Sequence, residues 1–532
     1  MASRFRLLKQ HDKTITSLSP TLSSPWLWLI IGSVALAYAR LAQRRSSSLS
    51  KYPLFHQRRW FDVWGVWERG EFLLKGANQA IAKAAQHYGI GEPFCMRDPW
   101  GEILVLPAEH AHYLKSNTGF AFEPFFNART HASLNDGLAG FLELAKLPNI
   151  VSQGVKANLT QVSQKQLNDL SEDTLSAIDD LVPAGDGNWG EIPVSDVVVK
   201  IVHRVSSRTF LGNDGPRNTQ WLDLAQTYTP DISLAGFILD LVPPLLRPLA
   251  QWCIPAMHRG RRQLATARGL VAAMIDERRR RQEVQPVSSD GGEKKQVVGS
   301  DDAIGWFDRA AGGDARLYDA AAAQLALTFV ADHTSANFIA KALLDLARHP
   351  EVVCELRREI EREVSGLGWA GWEKANLHRM KLLDSVIKES MRLQPIFFAS
   401  MLGAVTQEMS LKDGTVLPVG TRIAVSGDGN RDPDVYDKPD EWDGYRYYKM
   451  RQGGEREDMA QLACATTEHA GFGVGKHSCP GRFYAADVMK IILCHLLMRY
   501  DWKVSEAGPE TVVMGWTQMV HPEAKILLRR RS

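Results

Sequence analysis

Cys479 stands in the run Gly471-Phe472-Gly473-Val474-Gly475-Lys476-His477-Ser478-Cys479-Pro480-Gly481-Arg482. That run suits a thiolate metal ligand. A thiolate must be held deprotonated, which takes hydrogen-bond donors and positive charge beside the sulfur. Gly473 and Gly475 let the backbone turn tightly and aim N–H groups at it. Pro480 and Gly481 let the chain leave the ligand and enter a helix from Arg482 to about Leu497, whose positive end faces the sulfur. Phe472 can shield the sulfur, and Lys476 and His477 can meet acidic groups. The bland alternative is a glycine-rich turn holding a small buried cysteine. The whole set of spacings weighs against it.

Two weaker signals precede the loop. Glu389 and Arg392 lie three apart on one helix, so their side chains can pair. Alone, they would be an ordinary surface ion pair. Thr334 sits inside a long apolar segment, where a lone threonine is usually back-bonded to its own helix.

The elements that must hold these residues are mostly helical. Periodicity predicts helices over about Ala157–Leu181, Leu264–Arg281, Leu317–Arg348, Glu351–Val364 and Leu382–Leu393, the last stopped by Pro395. The Leu317–Arg348 helix carries few charges and should be central and buried. Ile103 to Leu106 form a short buried strand. Gln285 to Asp302 form a polar surface loop. The last third mixes short strands with turns.

Composition narrows the function. The chain has 532 residues and a formal net charge of +2, which does not indicate a nucleic-acid binder. Its six cysteines are scattered without a CxxC pair, so neither a disulfide framework nor a structural zinc site is expected.

Taken together, the motifs resemble the cytochrome P-450 family. The loop resembles its haem-binding signature F-x-x-G-x-R-x-C-x-G, with Phe472, Gly475, His477, Cys479 and Gly481 in place. His477 replaces the usual Arg, a change common in fungal members. Glu389 and Arg392 resemble the family's E-x-x-R, and Arg446 the third member of that structural charge triad. Val330 to Ser335 resembles the oxygen-activation motif. The order of motifs matches over nearly the whole chain. The last third most resembles fungal enzymes of secondary metabolism, in Gly481 to Ala485 and Leu496 to Trp502.

The resemblance implies a mainly α fold with minor β structure and haem b bound through Cys479. It implies a haem-thiolate monooxygenase that inserts one atom of O2 into a hydrophobic metabolite, terpenoid or polyketide-like. Thr334 would orient a proton-delivery water, and His333 stands where the family usually has an acid. Ala331 would leave room for O2, and Ala331, Phe397, Phe398 and Met401 would line the substrate pocket. Gly403 stands where relatives often place an Arg for a haem propionate. Lys156 is a candidate substitute, although an exposed lysine is the commoner case. Electrons would come from a membrane-bound NADPH-cytochrome P-450 reductase, with cytochrome b5 as a second candidate donor. An isomerase or dehydratase on the same fold, and a non-enzymatic haem-binding protein, stay open as alternatives.

The stretch from Thr14 to Ala39 carries no charge. A helix over about 25–43 would be roughly 28 Å long, enough to span a membrane once. Ser24 and Pro25 suit its start. Arg40, Arg44 and Arg45 on its C-terminal side favour a cytosolic catalytic domain on the endoplasmic reticulum. A cleaved signal peptide is the alternative, since Ala37-Tyr38-Ala39 mimics a cleavage site. Residues 1–45 are then the anchor segment and 46–532 the haem-binding catalytic domain.

Overall fold

The structure, a computed structural model, describes residues 49–531 except 56–60, 63, 90, 135–137, 145, 147–148, 183–186, 285–300, 365–370, 455–456, 470 and 507. The expected anchor helix at 25–43, the boundary at 45/46 and most of the Gln285–Asp302 loop lie outside the described residues. Among the described residues no helix is long and apolar enough to cross a membrane.

The chain is mainly helical with minor β structure. Its elements include α1 (Val66–Tyr88), β1 (Phe94–Asp98), β2 (Gly101–Leu106), β3 (Phe120–Ala121), α2 (Glu123–Thr130), α3 (Ile150–Leu181), α4 (Val194–Leu211), α5 (Ala320–Arg348), α6 (Lys381–Leu393), β4 (Ala399–Val405), β5 (Arg422–Ser426) and α7 (Arg482–Arg499). The main sheet has the order β1-β2-β5-β4-β3. β2 and β5 run parallel, and the other neighbours antiparallel.

α5 is the axis of the fold. Leu325, Ile339, Leu343 and Leu346 share one core with Val198, Ile201 and Val205 of α4 and Ile491 and Leu493 of α7. Each such side chain, fully buried, contributes about 1.5–3 kcal/mol. The Asp319 carboxylate caps α5 by accepting the Ala321 and Ala322 N–H groups, both at 3.1 Å. That cap moves the start from the expected Leu317 to Ala320. Pro350 limits the other end.

Two expected helices are longer than their apolar patterns. α3 begins at Ile150 instead of Ala157, because the Asn149 side chain accepts the Ser152 N–H at 2.8 Å. Ser152, Gln153 and Gly154 dilute the pattern there. The expected Leu264–Arg281 helix runs over Pro255–Val284. Its opening turns, His258 to Gln263, are polar and carry no apolar stripe.

α6 is buried at every position from Leu382 to Arg392, so its charges point inward and must be paired. Asp384 accepts from Arg451 at 2.5 Å and pairs with Lys490. Lys388 donates to the Gln461 and Cys464 carbonyls at 2.7 and 2.9 Å. Glu389 accepts two bonds from Arg392, each at 2.8 Å, and one from Arg446 at 3.0 Å. The expected triad therefore exists as a buried network, not as a surface pair.

Candidate functional site

Two segments carry the chemistry-bearing residues. The first is the loop before α7. Gly473 and Gly475 have φ of 74° and 59°, a region open chiefly to glycine. With those turns the loop folds on itself: the Cys479 N–H donates to the Phe472 carbonyl at 2.7 Å and the Ser478 N–H to the Gly475 carbonyl at 3.1 Å. Gly481 caps α7, and its N–H points to the Cys479 sulfur.

The Cys479 thiol is an interior group with accessible surface. Burial pushes its pKa up, against the pull of the Gly481 N–H and the Arg482 charge, yet the residue counts as exposed. Both hold together if the sulfur faces an internal cavity.

The second segment is the middle of α5. That helix is buried from 321 to 328 and from 335 to 346. In between, Phe329, Val330, Ala331, His333 and Thr334 keep accessible surface, while Asp332 is buried. An accessible strip inside an otherwise buried helix is what the wall of an internal cavity would look like. Phe338 of α5 meets Phe472 of the loop edge-on at 6.5 Å and ties the two segments together.

A family model described as Cytochrome P450 matches residues 165–530. The chain belongs to the cytochrome P450 family. It is 34% identical over 530 residues to the cytochrome P450 monooxygenase hepE of Aspergillus oryzae, covering 98% of this chain and 93% of that one. It is 36% identical over 442 residues to cytochrome P450 monooxygenase 1 of Gibberella fujikuroi, covering 83% and 98%. The fold matches that of the retinoic acid-bound cyanobacterial CYP120A1 with a TM-score of 0.65 at 18% identity, covering 90% of this chain and 99% of that chain. The protein is thus a P450 monooxygenase, an oxidoreductase that incorporates oxygen and binds haem b through a cysteine thiolate.

The residues present fit that cofactor. Cys479 supplies an accessible sulfur at the start of a helix. The His477 Nε2 is buried without a hydrogen-bond partner among the described residues. Its ring is fixed edge-on to Phe120 at 5.3 Å, so an acidic cofactor edge is a natural partner. Leu159 of α3 lies beside Gly481. Lys156, exposed one turn earlier on α3, lies toward the same side of that helix as Leu159.

The P450 pocket departs from expectation in the segment after α6. Phe397 is 37% exposed and lies under the Arg129 guanidinium at 5.6 Å. Phe398 is half-buried and packs against the core that contains Phe72, Leu73 and Trp516. Met401 is 4% exposed and belongs to the core that contains Leu104, Phe120 and Val425. β4 is an inner strand of the sheet, so Met401 is core and not an accessible wall. Ala331 is on the accessible strip.

Gly403 has a packing reason. β3 pairs with β4, with Ala121 opposite Ala404. A Cβ on Gly403 would overlap the Ala121 carbonyl and the Phe120 ring. An arginine therefore cannot stand there while β3 stays paired. We expect Gly403→Arg to lower the unfolding free energy from urea titration by about 2 kcal/mol, the usual scale of core overpacking, and so to lower the urea midpoint. An unchanged midpoint would mean that β3 is not held where it is described.

Around Thr334, the hydroxyl donates to the Val330 carbonyl at 2.8 Å, which leaves its lone pairs for a donor in the cavity. Burial and the nearby His203 push the His333 pKa down to about 3, so the ring is neutral. The His333 Nε2 has no partner among the described residues. Asp332 is buried and meets the His203 Nδ1 at 2.7 Å. His203, Phe120 and Arg129 are site neighbours that sequence reading missed. No motif marks them, and only the fold brings them near.

Proposed function

We propose that Cys479 is the thiolate ligand of the haem iron and that the enzyme hydroxylates or otherwise mono-oxygenates an apolar secondary metabolite, terpenoid or polyketide-like. The observation that carries the reading is Cys479, a residue with an interior thiol and accessible surface just before α7, in a loop that α5 touches through Phe338 and Phe472. Bound haem supplies the activation of O2 and the oxygen transfer. The chain's own residues position and protect. Phe472 shields the sulfur side, and metal coordination keeps the thiol deprotonated. His477 and Lys156 hold the propionates. Ala331 and Phe397 shape the substrate side, and Thr334 accepts and orients a water from which a proton is delivered. His333, neutral, is a second hydrogen-bonding group for that water.

The catalytic domain, 46–532, sits on the cytosolic face of the endoplasmic reticulum, held by the apolar segment near 25–43. It takes electrons from NADPH-cytochrome P450 reductase, with cytochrome b5 as a second donor. The uncharged stretch before Arg40 supports the anchor. So do the large exposed apolar side chains near the start of the described chain and after residue 244, among them Trp67, Leu245, Leu249 and Trp252.

The test is to reduce the full chain, add carbon monoxide and record the Soret band beside Cys479→Ala. A strongly red-shifted band that the variant loses is the expected result. Haem bound without that shift, or a shift that survives in Cys479→Ala, would sink the assignment. Thr334→Ala tests the proton route. Oxygen should still be consumed, with product per NADPH down roughly tenfold or more; unchanged coupling would remove Thr334 from the route.

A further inference from the structure

Among the described residues, Arg129 is a cation without a counter-ion. It lies in the last turn of α2. Among the described residues no hydrogen bond or ion pair reaches its guanidinium; its close partner is the face of the Phe397 ring, 5.6 Å away. Two carboxylates are near enough to feel its charge, Asp240 and Asp98. Both are committed elsewhere. Asp240 bonds to the His131 Nε2 at 2.8 Å. Asp98 takes both Nη atoms of Arg422 at 2.6 Å and the Trp516 Nε1 at 3.1 Å.

The group is also interior. Burial pulls the Arg129 pKa down, while the side chain keeps some accessible surface. As at Cys479, an interior group that keeps accessible surface is what an internal cavity would produce. A chain of aromatic contacts joins α2 to α5: Phe126 to Phe141 at 5.8 Å, then Phe141 to Phe329 at 4.6 Å. Phe329 begins the accessible strip that contains Thr334.

A buried unpaired charge is costly, and folds retain one where a ligand completes it. Arginine stays protonated in proteins and presents a planar fork of N–H donors that matches a carboxylate. We propose that Arg129 is the anchor for a carboxylate on the substrate, so that the substrate is an apolar monocarboxylic acid held at its acidic end by Arg129 and over Phe397. This rests on the reading of an apolar substrate above haem. It adds the polar group that fixes which end of that substrate points to the iron.

The test uses the haem-loaded full chain and two matched pairs of probes, palmitic acid with methyl palmitate and abietic acid with methyl abietate. Binding is measured by calorimetry in the wild type, Arg129→Lys and Arg129→Met. In the wild type the acid should bind about tenfold or more tightly than its ester. The ratio should fall partly in Arg129→Lys and vanish in Arg129→Met. The Tm of ligand-free Arg129→Met should rise, because the unpaired charge is gone. Equal binding of acid and ester, or a preference for esters, overturns the anchor. If neither acid binds, the Tm decides: a rise supports an unpaired cation awaiting its ligand, and an unchanged or lower value shows a structural arginine and overturns the proposal. The carbon monoxide band is the control. Its absence would sink the haem assignment, whereas an intact band without acid preference sinks only the anchor.

Discussion

Replacing Glu389 by alanine is expected to leave little or no folded haem-binding protein. Its carboxylate is the one acidic partner, among the described residues, of both Arg392 and Arg446. It also accepts the Asp443 N–H at 3.0 Å. Glu389 and Arg392 are 0% exposed. The guanidiniums keep backbone partners, such as the Asn430 and Pro439 carbonyls at 2.8 and 2.6 Å from Arg392, but no carboxylate remains to balance them. Orphaning one buried charge typically costs about 3–5 kcal/mol. Here two are orphaned, against a total stability of about 5–15 kcal/mol. The sign reverses when the charges leave together. The triple variant Glu389→Met, Arg392→Leu, Arg446→Met should be more stable than Glu389→Ala, since a buried ion network is rarely better than apolar packing of equal volume. Soluble yield and urea midpoints check both statements. A wild-type midpoint for Glu389→Ala would show that the network does not hold this region.

What the sequence revealed and hid follows from the range of the interactions. The cysteine loop is local: its glycines, its sulfur and its exit helix lie within a dozen residues, so the chain order already contains the geometry. The same holds for Glu389 and Arg392, one helical turn apart. The Asp384–Arg451–Lys490 network does not share this property. Its members are spread over more than a hundred positions, and each alone resembles a surface charge. Asp332 finds His203 from 129 residues away. Arg129 is hidden for a different reason: what sets it apart is that no described carboxylate pairs with it, and no motif encodes that. Gly403 was legible as a departure from the family pattern, but its cause was not. β3 is two residues long, too short for any alternating signal, and it occupies the space an arginine would need.

Gly475→Ala should abolish haem uptake while leaving the helical domain folded. Two costs coincide there. The residue has φ of 59°, a left-handed conformation that costs a side-chain-bearing residue roughly 1–2 kcal/mol. Its added Cβ would also overlap the Lys115 carbonyl oxygen. That carbonyl cannot simply retreat, because it accepts the Lys476 N–H at 3.1 Å and so helps to hold the loop. Relief must come from the loop, by moving the very turn that places Ser478 and Cys479. The neighbouring glycine is the control. Gly473 has φ of 74°, and a Cβ there would stand 3.0 Å from the His477 carbonyl, so Gly473→Ala carries the conformational cost with a milder clash. The expected order of haem per folded chain is therefore wild type, Gly473→Ala, Gly475→Ala, with far-ultraviolet circular dichroism nearly unchanged across the three. If Gly475→Ala binds haem like the wild type, Lys115 does not buttress the loop, and the position of Cys479 is set by α7 alone.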